Sequence, residues 1–258
     1  MKTSKLFVTL FAGAILMSSS IFVYSNTDNY DCDSSNKNPS IITKEFDVEP
    51  FNGISANAGI QIHYTQADTY SVLIATDEET MKKLEVETVS GRLALRLKQD
   101  EADMTINIQR INDNCHIAAY ISAPDLNGVD LSGWASLNAT EFSNTSDFKF
   151  SGSGVSGLNI DKMTLNNAHF NCSGASFVIS KVIKAGNVNF HLSGSSQAEM
   201  ELNSGNANVN ISGISTFKAQ GKTTAININC SGSSNANLKG LSYSNSSFSS
   251  SGEGIITK

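Results

Sequence analysis

Seven Ser-Gly pairs stand at Ser132, Ser151, Ser173, Ser193, Ser212, Ser231 and Ser251, separated by 19, 22, 20, 19, 19 and 20 residues. A period near 20 residues describes a solenoid, in which each coil has too few apolar side chains for a core of its own and buries them against its neighbours. Three residues before each serine stand Val129, Phe148, Phe170, Phe190, Val209, Ile228 and Phe248, apolar in every repeat. One residue before it are Leu131, Phe150, Cys172, Leu192, Ile211, Cys230 and Ser250. The intervening positions are polar: Asn189, Asn208 and Asn227, then Asn171, His191, Asn210 and Asn229. Alternation of period two predicts a half-buried strand. The Ser-Gly, with Gly154, Ser176, Ser196, Ser215, Ser234 or Gly254 following the serine by three residues, suits a tight bend on a crowded inner corner. A second apolar set at Leu137, Val178, Phe217 and Ile256, or two residues later at Leu158, Met200 and Leu238, predicts at least two short strands per coil. Successive coils run the same way, so their strands pair in parallel about 4.8 Å apart, like residue on like. The expected fold is all-β: a parallel β-helix solenoid that melts cooperatively, because no coil stands alone.

The N-terminus carries Lys2 and Lys5, then an apolar stretch from Leu6 to Val23 broken by Ser18, Ser19 and Ser20, the pattern of a secretory signal peptide. Residues 1–25 are read as that signal, cleaved after Ser25 or retained as an anchor, and residues 26–43 as a flexible polar leader rich in Asn, Asp and Ser. Cys32 is no lipidation site: Asn29, Tyr30 and Asp31 before it are neither small nor aliphatic. Removing two lysines leaves 16 basic against 24 acidic residues, a net charge near −8, which argues against nucleic acid as a partner. Past the signal no stretch is long and apolar enough to span a bilayer. Cys172 and Cys230 share the inward position three coils apart, about 14 Å at 4.8 Å per coil, too far for a disulfide. They read as small buried hydrophobes. Cys32 and Cys115 could pair only with the leader folded back.

Residues 44–258 are read as one β-helix domain, with the Ser-Gly repeats at 126–258. From Glu45 to Ala123 the strand signals are less periodic: Ile60, Ile62 and Tyr64 alternate with Gln61 and His63, and Val72, Ile74, Leu93, Leu95 and Ile117 lie in similar short runs. Thr76 with Glu79 makes a capping-box pattern for one short helix, Asp77 to Lys83. Charge gathers here in Glu85, Glu87, Arg92, Arg96 and Lys98, as a solenoid needs at an end that must not associate.

The run Phe51-Asn52-Gly53-Ile54, then Gly59 to Gln66, Tyr70 to Ala75, Gly91-Arg92-Leu93-Ala94-Leu95 and the ensuing Ser-Gly coils resembles the head GIN domain family of "putative autotransporter adhesins". The resemblance covers nearly all of the chain after the leader, and the order of elements carries it more than any single motif. It implies a right-handed β-helix exported by bacteria of the Bacteroides kind, with an adhesin role and no catalytic residues. No C-terminal translocator barrel is expected with it, the given sequence running to Gly254-Ile255-Ile256-Thr257-Lys258.

Parallel β-helices also host polysaccharide lyases and hydrolases, which makes a carbohydrate-active enzyme the alternative reading. Such chemistry needs clustered carboxylates. After Gly152 the acids are Asp161, Glu199, Glu201 and Glu253. Glu199 and Glu201, two apart on a strand and so about 7 Å from each other, suit an inverting pair by distance. Met200 and Leu202 beside them point instead to an ordinary outward-facing strand. Asp130 and Lys149 are expected to form a cross-strand ion pair. His169 and His191, on neighbouring coils but two positions apart, lack companion carboxylates or thiolates and make a poor metal site. Catalytic, metal and cofactor residues are therefore none. The candidate binding surface is the amide array of Asn189, Asn208 and Asn227 with His191, Asn210 and Asn229, which either stabilises itself as ladders or meets sugar hydroxyls. The function expected is a non-enzymatic exported module of the periplasm, outer-membrane surface or exterior, partnered by a glycan or another cell-envelope component. At the C-terminal edge either Ile255 and Ile256 fold over the end or a second copy covers it, giving weak self-association.

Overall fold

The computed structural model describes residues 40–98 and 117–258. The signal peptide, Cys32 and Cys115 lie outside the described residues. Among them, sixteen strands form one continuous sheet around a single apolar core. In chain order the first half holds β1 (Ile41–Phe46), β2 (Gly53–Ala56), β3 (Ile60–Gln66), β4 (Ser71–Asp77), helix α1 (Glu78–Lys83), β5 (Leu84–Val89), β6 (Arg92–Leu97), β7 (Ile117–Ala123) and β8 (Gly128–Leu131). The second half holds β9 (Ser136–Gly152), β10 (Gly157–Cys172), β11 (Phe177–Leu192), β12 (Gln197–Ile211), β13 (Thr216–Cys230), β14 (Asn235–Asn237), β15 (Leu241–Ser250) and β16 (Ile255–Thr257). The result is a β-solenoid of about 6 turns with coils of about 20 residues.

From β9 to β13 every neighbouring pair is parallel and nearly residue for residue in register. Each coil is one long strand whose alternation slips phase twice. In β11, Val178 and Ser180 are buried, then Ile183, then Val188, Phe190 and Leu192; the steps from Ser180 to Ile183 and from Ile183 to Val188 are odd, so the inward side changes there. Pairing lapses at the same places, between Ser180 and Val182 and between Ala185 and Asn187. With the Ser-Gly bend these corners divide β11 into three flat faces, Phe177–Ser180, Val182–Ala185 and Asn187–Leu192. The second apolar set resolves into two columns: Leu137, Leu158, Val178, Ala198, Phe217, Ala236 and Ile256 stand in one, and Met200 and Leu238 belong to the next.

One repeat is framed differently from the serine spacing. Ser151-Gly152-Ser153-Gly154 offers two Ser-Gly pairs, and the bend uses the second: Gly154 has φ +70° like Gly133 (+69°) and Gly174 (+70°), and Gly152 does not. A Cβ at Gly154 would stand 2.8 Å from the Gly133 carbonyl oxygen, so the stacked bends admit no side chain there. Phe150 thus pairs with Phe170 and Gly152 with Cys172, whereas Phe148, expected in the first column, pairs with Ala168. The same two-residue shift places Lys149 opposite Gly128 and Ser151 opposite Asp130. The expected Asp130–Lys149 pair is not formed; Asp130 binds Arg92 at 2.6 Å.

The core is a file of aromatic rings. Phe142, Phe148, Phe170, Phe190 and Phe217 follow one another at centroid separations of 5.2, 6.1, 4.7 and 5.2 Å. Each is shielded from water, and such contacts add to the area term. Cys172 and Cys230 are buried free thiols, and burial pushes Cys172 up to about 12, with the Ser176 hydrogen bond opposing. Thiols so disfavoured as thiolates act as small hydrophobes.

The N-terminal half prolongs two of the faces. β3 continues the first face beyond β9 and passes it to β7, β4 and β1, the last two contacts antiparallel. β8, β2 and β6 continue the third face, which ends on antiparallel β5. Strand begins at Ile41, so residues 41–43 expected in the leader are part of β1. The helix cap is Asp77, not Thr76: its carboxylate accepts from Thr80 N at 2.9 Å, while Thr76 is buried. At the other end, Ile255 and Ile256 do not fold over the solenoid. They continue it as β16 on β14, and Lys258 Nζ sits 4.3 Å from the Phe248 ring centre.

Candidate functional site

Three outward columns run along the third face. The first stacks Asp147, Asn167, Asn187 and Asn206. Each asparagine donates its Nδ2 to the oxygen of the coil before it: Asn167 to Asp147, Asn187 to Asn167, and Asn206 to Asn187, all at 2.8 Å. The second column stacks His169, Asn189, Asn208 and Asn227. Asn227 donates to Asn208 at 2.8 Å, Asn208 to Asn189 at 3.0 Å, and Asn189 to His169 Nδ1 at 3.3 Å. These are self-satisfied ladders, and three of the six expected surface residues, Asn189, Asn208 and Asn227, are members of one.

The third column stacks Ser151, Asn171, His191, Asn210, Asn229 and Ser249. Asn171, His191, Asn210 and Asn229 are exposed and make no side-chain hydrogen bond among the described residues. A fourth column lies two residues on, beside the bend: the hydroxyls of Ser173, Ser193, Ser212 and Ser231 donate to the carbonyls of Gly152, Cys172, Leu192 and Ile211 at 3.2, 3.3, 3.4 and 3.4 Å. Their protons are spent inward while oxygen lone pairs remain for a ligand. The strip between the third and fourth columns, here the groove, carries unspent amides along one side and hydroxyl oxygens along the other.

Toward β8, β2 and β6 the groove opens into a cleft of about 410 Å³, with Asn57, Arg96, Asp130, Ser132, Ser151 and Asn171 among its walls. Asp130 is held by Arg92, whose guanidinium also donates to the Ile54 carbonyl at 3.2 Å and lies across Gly53 and Gly128. A Cβ at either glycine would come within 3.2 Å of that guanidinium and make it shift by a few tenths of an ångström. Arg96 faces Glu87 at 3.5 Å. Asn57 Oδ1 is buried and has no hydrogen-bond partner.

The two carboxylates weighed as an inverting pair each have a partner of their own. Glu199 pairs with Lys218, and Glu201 accepts from Asn203 at 3.0 Å. His169 and His191 occupy different columns, His169 in a ladder. Among the described residues no group of three metal-ligating side chains gathers. Sequence reading missed the first ladder and the cleft. The ladder had a signal, since Asn187 and Asn206 stand two residues before Asn189 and Asn208, in the same outward phase. The cleft had none, because it forms where β2 and β6, which no repeat aligns, meet the first coils.

The family described as "Putative auto-transporter adhesin, head GIN domain" matches residues 50–257. The chain belongs to this family. A solved structure of a "putative adhesin" from Bacteroides fragilis shares the solenoid at TM-score 0.70 and 18% identity, covering 84% of this chain and 96% of the other. A "putative lipid binding protein" from Parabacteroides distasonis gives 0.67 at 18%, covering 86% and 97%. A "putative adhesin" from Parabacteroides merdae gives 0.60 at 14%, covering 85% and 96%. At these identities the likeness is one of fold. A search of curated proteins gives no match. Among the described residues no helix is long and apolar enough to cross a membrane.

Proposed function

We propose that this head GIN domain chain is a non-enzymatic, exported binding module of the cell envelope, and that its groove holds an extended, hydroxyl-rich chain, a glycan strand, along the solenoid axis. The observation that carries the reading is the contrast within one face. Two columns of amides consume their own hydrogen bonds, and the next column, Asn171, His191, Asn210 and Asn229, leaves its donors and acceptors open over a groove. Parallel coils repeat those groups about every 4.8 Å, a periodic array suited to a polymer rather than to one compact ligand. The signal-peptide pattern of residues 1–25 and family membership support export, to the periplasm, the outer-membrane surface or the exterior.

A glycan array probed with residues 26–258 tests the reading. Retention of a polysaccharide by the parent, lost when Asn171, Asn210 and Asn229 are all alanine, is the expected result. An array that retains nothing, or a triple variant that binds as the parent does, overturns it.

A further inference from the structure

We infer that the cleft at the head of the groove is a subsite for one neutral sugar unit, recognised through neighbouring hydroxyls that donate to Asn57 Oδ1 and to the Asp130 carboxylate. This rests on the glycan reading of the groove and adds where a unit is read and what charge it carries.

Three observations converge. The first is an orphan acceptor. Asn57 Oδ1 is buried without a partner, and Asn57 lines the cleft. Leaving a buried acceptor unpaired is costly, and a ligand hydroxyl donating to it removes the deficit. The second is placement. Ser55 of β2 stands opposite Asp130 of β8, and Asn57 lies two residues beyond Ser55, so Asn57 and Asp130 are diagonal neighbours across the pair. That diagonal is about 8 Å between backbones, from one strand spacing and two residue rises. Asp130 spends one oxygen, Oδ2, on Arg92 and keeps Oδ1 for a second donor. Beside them Ser132 and Ser151 offer hydroxyls, and Asn171 an open amide, to the rest of the ring.

The third observation is charge. The arginine in the cleft wall, Arg96, faces Glu87, and Asp130 faces Arg92. Both charges in the wall are answered from within the protein, so a ligand carboxylate would find no free cation there and would meet Asp130; Lys149, without an ion pair among the described residues, stands outside the wall, opposite Gly128. The volume of about 410 Å³ lies at the small end of the range of about 300–1,000 Å³ usual for small-ligand sites, suited to a terminal unit with the chain leaving along the third column.

The test uses maltotetraose, cellotetraose and mannotetraose as neutral probes and tetragalacturonate as the charged one, titrated calorimetrically into residues 26–258 at low and high salt. A neutral tetramer should bind with little salt dependence, and tetragalacturonate should bind at least tenfold more weakly. Asn57→Leu should weaken the neutral tetramer about tenfold, the loss of one well-made hydrogen bond. The same variant should melt no lower than the parent, since the free protein loses an unpaired buried acceptor; a merely structural Asn57 would lower the midpoint instead. Ser153→Tyr, at the exposed rim, should block the cleft and give the same loss. Tighter binding of tetragalacturonate, or unchanged affinity in both variants, overturns the inference. If the polymer still needs Asn171, Asn210 and Asn229 in that case, the groove stands without the cleft. If the tetramer needs Asn57 but the polymer ignores the three asparagines, the cleft stands without the groove. No binding of any probe sinks both.

Discussion

The coils from β10 to β13 and the half of the chain before β8 are built from the same strands by different means. In the coils, parallel pairing sets each residue on its counterpart, so one successful solution is repeated: a ring on a ring, an amide on an amide, a glycine carbonyl under a glycine. In the N-terminal half, antiparallel β1, β4, β7 and the β5–β6 hairpin face unlike residues, and cohesion there rests on individual contacts such as His63 stacked on Tyr120 at 5.0 Å or Tyr64 donating to the Ala123 carbonyl at 3.0 Å. Repetition makes the coils sensitive wherever a column is interrupted, and irregularity confines damage at the other end to one neighbourhood.

The hardest blow to that contrast is a charge in the ring file. Phe190→Asp places a carboxylate between Phe170 and Phe217 with no partner and should abolish the cooperative thermal transition, a loss above about 4 kcal/mol. A variant melting like the parent would contradict the register. Next comes a matched pair of glycines. Gly213→Ala combines a φ of +71° with a Cβ 2.5 Å from the Gly194 oxygen and should cost about 3 kcal/mol or more in urea unfolding. Gly91→Ala, at φ +74° but with nothing nearer than the Asn52 side chain at 3.7 Å, should cost only about 1 kcal/mol. Equal losses would mean that stacking of the bends adds nothing to their strain.

A smaller difference separates two asparagines on one strand. Asn208→Ala removes one bond given and one received and should cost about 1–2 kcal/mol, while Asn210→Ala, with no intramolecular partner, should change stability by under about 0.5 kcal/mol. Chemical denaturation of the two single variants checks it. The least effect belongs to His63 of β3, whose titration is pushed below 6.5 by burial. The unfolded chain therefore takes the proton first as acidity rises, so His63 contributes stability that is present above pH 6.5 and lost as pH falls toward the folded-state value. Melting midpoints from pH 7 to 5 should fall less steeply in His63→Phe, which keeps a ring against Tyr120.

The coils were legible because their period is written in the residues that bend the chain. Where the signal is doubled, at Ser151 and Ser153, spacing alone does not choose between the pairs, and the stacking of Gly154 on Gly133 and Gly174 selects the second. Thr76 and Asp77 are both good caps by sequence, and burial of Thr76 decides between them. Among the site residues, Asn210 and Asn229 were legible as outward positions, but that their amides are open while those of Asn208 and Asn227 are spent depends on rotamers no spacing records. The link from Arg92 to Asp130 joins β6 to β8 across two glycines, a relation that exists only once β2 lies between them.

The two amide ladders point one way. Every Nδ2 in them is given to the coil nearer the N-terminus, and the first ladder ends on Asp147, a carboxylate that can only accept. No asparagine in that row can therefore turn its amide over alone, because reversal would set oxygen against oxygen at one step and hydrogen against hydrogen at the next. Asp147 acts as a polariser, fixing the orientation of amides three coils away. The alignment gives the face a net electric direction along the axis and leaves the Asn206 and Asn227 oxygens facing the later coils.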